Sequence, residues 1–184
     1  KIMACDIELG RLEPCKDSVG GLIAVYFINY TNGLSDTASF DADEIITAFA
    51  SPLTCYKYDL KGTNSFEETN EKSRENGPSF FTQTGTLVLK KQDAVTRKTM
   101  KLLSWGRPQI IVEFYNTGTA NVSRYVLAGM ENGCETAPSP TSGAAMGDLN
   151  GYNIVFTGME KTPAYFMDPA IIDDTTNTVV VPGV

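Results

Sequence analysis

Apolar residues in this chain recur on every second position over many short runs, and Gly, Pro, Asn or Asp bound those runs. Side chains alternate between the two faces of a strand, so this period predicts a protein of strands, each with one face buried. Ile110, Val112 and Phe114 share one face, with Glu113 and Tyr115 on the other. Tyr152, Ile154 and Phe156 alternate with Asn153 and Thr157, and only Val155 breaks the polarity. Further strands are expected at Ile45 to Phe49, Thr54 to Leu60, Phe80 to Lys90 and Arg124 to Leu127, the last followed by a Gly/Pro/Ser-rich loop. Leu22 to Tyr30, LIAVYFINY, is apolar on both faces, so it is buried on both sides or covered on one by a neighbouring subunit. Asn116, Gly118 and Asn121, which tolerate positive φ, signal a hairpin turn between Phe114 and Val122.

One segment follows a different period. Val95, Thr99, Leu102 and Leu103 recur at helical spacing, with Arg97 and Lys101 opposite. Asp93 is placed to cap the first turn, and Gly106 followed by Pro108 stops the helix. A helix from Asp93 to Ser104 would lay its apolar stripe on a sheet, with Trp105 sealing the end. The expected fold class is mainly β: an antiparallel β-sandwich or half-barrel with one flanking α-helix and a long extended polar loop. At 184 residues the chain suits a single domain.

The long polar stretch is Lys61 to Pro78, KGTNSFEETNEKSRENGP, whose one large apolar side chain is Phe66. Folded back on itself as two equal arms it would reach roughly 30 Å, enough to touch another subunit. Alternatively it is a solvated loop. The end of the chain, Ala170 to Val184, reads as a last strand or as a C-terminal arm, and Lys1 to Gly20 as an N-terminal arm.

Composition narrows the chemistry. With 42% hydrophobic and 20% charged residues the chain is not wholly disordered. The net charge of −7 is concentrated in Lys1 to Pro78, which hold 13 acidic and 7 basic residues. So acidic a surface does not condense onto nucleic acid by counterion release, although it suits a wall past which DNA slides. There is no histidine, which removes Ser-His and Cys-His catalysis. No P-loop and no dinucleotide-binding glycine fingerprint is present.

Cys5, Cys15, Cys55 and Cys134 form no C-x-x-C pair, and without a signal-peptide pattern free buried thiols are expected. The carboxylates at Asp41, Asp43 and Glu44, at Glu67, Glu68 and Glu71, and at Asp173 and Asp174 lack EF-hand spacing, and Asp41 and Asp43 read as turn or capping residues. No catalytic, cofactor or metal residue is therefore assigned. The basic run Lys90, Lys91, Arg97, Lys98, Lys101 and Arg107 reads as a solvated helix face, complementary to the acidic first half of an adjacent subunit. No apolar stretch is long enough to cross a bilayer as a helix.

The phrases RYVLAGMENG, Arg124 to Gly133, and SGAAMGDLNGYNIVFTGMEKTPAYF, Ser142 to Phe166, resemble the closing segment of bacteriophage tail tube proteins. The order of elements from Leu22 to Met167 is similar too: early strands, a polar excursion, a strand, one helix and closing strands. The resemblance implies a structural virion protein, assembled in the bacterial cytoplasm, that is not an enzyme. Its subunits form stacked, usually hexameric rings whose inner strands join into a β-barrel. DNA passes through that barrel without specific binding, and the remaining partners are other tail proteins. It further implies that Lys61 to Pro78 is the inter-ring loop, with Phe66 as anchor and Glu67, Glu68 and Glu71 at the lumen or ring contact. A baseplate, ring or tail-completion protein fits the same pattern. Two rivals from other classes are a β-sandwich that binds a ligand or decorates a surface, and an enzyme working with carboxylates or lysine alone.

Overall fold

The computed structural model describes residues 10–13, 16, 18–116 and 122–183. Most of the expected N-terminal arm, Cys5, Cys15 and the turn residues Gly118 and Asn121 lie outside the described residues. In chain order the elements are β1 (Leu22–Ile28), α1 (Leu34–Thr37), β2 (Ala38–Phe40), β3 (Ile46–Phe49), β4 (Leu53–Asp59), β5 (Ser65–Lys72), β6 (Ser79–Lys90) and α2 (Ala94–Trp105). They continue as β7 (Gln109–Phe114), β8 (Tyr125–Ala128), β9 (Cys134–Thr141), β10 (Gly151–Glu160), β11 (Tyr165–Met167), α3 (Ala170–Asp173) and β12 (Thr178–Val181). The protein is mainly β.

Eight strands form a curled half-barrel in the order β12-β4-β1-β7-β8-β11-β3-β2, and four form a second sheet in the order β5-β6-β10-β9. Strand β1 is central, and both of its faces are buried as its sequence requires. Ala24, Tyr26 and Ile28 enter the core inside the half-barrel with Ile46, Ile111, Leu127 and Met167. Val25 and Phe27 enter a second core between the sheets, against Leu87, Tyr152, Ile154 and Phe156 of the smaller one. Leu22 joins that second core although its number is even, because the ladder to β7 slips by one residue between Leu22 and Ala24.

Several expectations change. The segment Lys61 to Pro78 is not a loop but contains β5, an eight-residue strand paired antiparallel with β6 from Ser65↔Thr86 to Lys72↔Ser79. Its polarity is that of an edge strand with most side chains exposed. Of the two readings of the C-terminal segment the last strand holds, since β12 pairs parallel with β4 from Thr178↔Leu53 to Val181↔Tyr56. The Gly/Pro/Ser-rich stretch after β8 holds β9, paired with β10. The sheets are predominantly antiparallel as expected, with β11–β3 and β12–β4 running parallel.

Helix α2 stands where predicted. The Asp93 carboxylate accepts the Thr96 hydroxyl at 2.6 Å and the Thr96 amide at 2.7 Å, and these hydrogen bonds hold it below its ordinary range although it is exposed. Its packing differs from expectation: Met100 is buried and Leu103 packs on the core between the sheets, while Val95, Leu102 and Trp105 are 64%, 55% and 73% exposed. Trp105 seals nothing. Helices α1 and α3 each make a single turn beside the half-barrel core.

Candidate functional site

The four-stranded sheet ends in β5 on one side and β9 on the other, and the backbone direction at each edge follows from its hydrogen bonds. At the β5–β6 turn the Ser73 amide donates to the Pro78 carbonyl at 3.0 Å. Antiparallel ladders alternate bonded and non-bonded pairs, so Ser65, Glu67, Thr69 and Glu71 direct their backbone groups to β6. Phe66, Glu68, Asn70 and Lys72 then direct theirs outward. Among the described residues no backbone partner occupies that edge, which leaves four N–H and four C=O groups in a row. The terminal strands of the half-barrel, β2 and β12, have three and four residues, so β5 is the long open edge.

The opposite edge is closed by chemistry. In β9 the residues turned outward are Cys134, Thr136, Pro138 and Pro140. Cys134 already donates its amide to the Pro108 carbonyl at 2.8 Å, and the prolines have no N–H to give. This edge offers acceptors and almost no donors. The signal was in the sequence, since prolines two residues apart sit on the same lateral side of a strand and mark an edge.

The residues singled out in β5 divide between its faces. Phe66 points into its own core, with its ring 6.2 Å from that of Phe156 and 6.4 Å from that of Phe114. Glu68 lies on that same face and accepts the Ala164 amide at 2.7 Å and the Gln83 side-chain amide at 3.2 Å. Glu67 and Glu71 lie on the outer face, where Glu71 accepts the Thr82 hydroxyl at 2.9 Å. The same face carries Thr69, Thr82, Thr84, Thr86, Thr157 and Thr141. Its strand residues include one cation, Lys90, at the rim.

Two buried carboxylates lie elsewhere. Glu113 is 3% exposed and receives Tyr26 Oη at 2.8 Å, Tyr125 Oη at 3.2 Å and Arg124 Nε at 3.0 Å. Burial, reinforced by this hydrogen bond, raises the Tyr26 hydroxyl far above its usual range. Glu160, equally buried, accepts the Glu131 and Asn132 amides on Oε1 at 3.2 and 2.8 Å, while Oε2 has no partner among the described residues. Burial pushes its pKa up against the pull of those amides. Each carboxylate is enclosed within the fold rather than set at the mouth of a cleft.

Asp41 has the turn role expected of it, with Oδ1 accepting the Asp43 and Ile45 amides at 2.9 Å. Among the described residues the Asp43 carboxylate caps no turn, and it lines a cleft with Glu44, Phe66 and Glu68. Cys55 and Cys134 are free and buried. Among the described residues no group of three or more His, Cys, Asp or Glu could hold a metal ion, and no helix is long and apolar enough to cross a membrane. Between β1, β4 and the end of α2 lies a groove of about 430 Å³ lined by Phe27, Tyr30, Tyr56, Tyr58 and Arg107. Arg107 stacks 4.1 Å above the Tyr30 ring there. The sequence, with its tyrosines widely spread, gave no hint of this convergence.

No family model, no curated protein and no solved structure matches the chain.

Proposed function

We propose that this protein is a structural subunit that self-assembles, edge strand to neighbouring subunit, into the stacked rings of a phage-type tail tube. The open β5 edge carries this reading: eight backbone groups that face no backbone partner among the described residues invite strand addition, and a strand left so exposed is an aggregation hazard unless a partner covers it. The proline-blocked β9 edge makes the two ends of the sheet unlike, so a contact between them is heterologous and propagates by rotation until a ring closes. At that seam β9 accepts from the β5 amides of the next subunit and returns few donors, which makes it weaker than a full ladder.

The outer face of the small sheet suits a channel wall. Its hydroxyls and the carboxylates of Glu67, Glu71 and Glu135 give a hydrated surface without an affinity for phosphate. Six copies of a four-stranded sheet make a barrel of about 24 strands, wider than the 16–18 that already leave an aqueous channel. A tube-like baseplate, ring or completion protein uses the same edge. The aromatic groove favours a second reading, a β-sandwich that binds a small ligand, in which the protein acts as a monomer. Negative-stain microscopy and sedimentation of the purified protein separate the two: rings or tubes support assembly, and a monomer at every concentration sinks it.

A further inference from the structure

Helix α2 and its flanks, Lys90 to Arg107, carry six cations against the one carboxylate of Asp93, in a chain whose net charge is −7. Along the solvent side of the helix Val95, Lys98, Leu102 and Trp105 follow one another at intervals of three or four residues, which makes a single stripe. Its three apolar members are more than half exposed, and Lys101 Nζ sits 4.5 Å over the Trp105 ring. A stripe both apolar and cationic fits a protein surface that is both apolar and acidic. Duplex nucleic acid offers the charge without an open apolar face, its bases being stacked on one another.

The chain itself contains such a surface. At the other end of the sandwich, Asp43, Glu44, Phe66, Glu68, Phe114 and Phe166 line an open cleft of about 370 Å³, room for an aromatic side chain. Phe114 closes β7 there, whereas α2 ends just before β7 begins at Gln109. The two surfaces are thus separated by the length of a six-residue strand, roughly 20 Å at about 3.3 Å per residue. One copy cannot bring them together, but two copies can.

We infer that the Lys98–Leu102–Trp105 stripe of α2 docks, Trp105 foremost, in the acidic aromatic cleft around Asp43, Glu44 and Phe66 of a second copy of this chain. The contact is head-to-tail, so it propagates into a ring or a stack, and it supplies the assembly reading with a side-chain interface separate from the β5 edge. The inference rests on that reading only in requiring self-association.

Sedimentation velocity at low salt tests it with four variants. Trp105→Ala, Lys98→Glu/Lys101→Glu and Asp43→Lys/Glu44→Lys are each expected to weaken association by about tenfold or more, while circular dichroism and melting stay as in the wild type. The two charge reversals combined in one chain restore association to within about threefold of wild type, because opposite charges again face each other. Association unchanged by Trp105→Ala and by both reversals overturns the α2 contact and leaves the β5 edge standing. Failure of the combined variant to recover, with its fold intact, also overturns it. A wild-type protein that stays monomeric at the highest concentration overturns both readings together.

Discussion

Phe156 lies across Gly85: the two are direct partners in the β10–β6 ladder, and the ring fills the space in which a side chain at position 85 would begin. A glycine inside a strand costs stability by itself, so its presence marks this close approach. Gly85→Ala is expected to lose about 1–3 kcal/mol by overpacking. Denaturant unfolding measures it, and Gly85→Ala/Phe156→Leu should recover part of the loss.

Glu113 joins Tyr26, Tyr125 and Arg124 across three adjacent strands of the half-barrel. Glu113→Ala strands two buried hydroxyls and a guanidinium whose side chain is about a quarter exposed. A loss of about 3 kcal/mol is expected, the low end for a broken buried pair because water reaches the arginine. Comparison of unfolding midpoints with Glu113→Gln, which keeps an acceptor, checks that the hydrogen bonds carry the effect.

How much of this was legible in the sequence follows from what each signal measures. Strand β10 was readable because its burial repeats with the pleat, β1 because a run apolar on both faces marks a strand buried on both, and Asp93 and Gly106 stood at the two ends of α2. Strand β5 was not readable, because a strand at an edge with seven of its eight residues polar and exposed looks like a solvated loop. Strand β9 was hidden by Pro138 and Pro140, which argue against a central strand but not against an outer one. The exposed stripe of α2 was misjudged because apolar residues lie on two sides of that helix, and period alone does not say which side meets the core.

Glu160 is a buried carboxyl whose pKa burial raises in the fold above its ordinary value of 4.5. Its proton is favoured by folding, so its contribution is fully present below 4.5 and is lost as pH rises through the folded pKa. Relative to the wild type, Glu160→Gln should therefore be more favourable at pH 7 than at pH 4. Urea unfolding of both proteins at the two pH values measures the difference, and a pH-independent difference would contradict it.

Burial pushes the Cys55 thiol from 9.0 up to about 11, and burial with the nearby Glu160 charge pushes Cys134 to about 12. Burial, with the Glu113 charge, takes Tyr125 from 10.0 to about 12. All three folded values exceed the unfolded ones, so their contributions are whole below about pH 9 and are lost progressively as pH climbs from there to about 12. The melting temperature should fall over that window, and Cys134→Ala or Cys55→Ala should flatten part of the fall.

The account depends on the outward row of backbone groups on β5 finding partners on another copy. A single residue separates the two sides of that strand: Asn70 turns its amide outward, and Thr69 turns its amide to Thr82 of β6. Asn70→Pro removes a free-edge donor and leaves the ladder to β6 whole, whereas Thr69→Pro breaks that ladder. Deleting the whole of Thr63 to Asn76 would be a poorer test, because it removes a strand and bares β6. The decisive measurement is negative-stain microscopy of the wild type, Asn70→Pro and Thr69→Pro, each paired with a thermal melt. The expected result is rings or tubes from the wild type, dispersed particles with a near-native melt from Asn70→Pro, and a lowered melt from Thr69→Pro. Rings from a folded Asn70→Pro protein as abundant as those of the wild type would contradict the account.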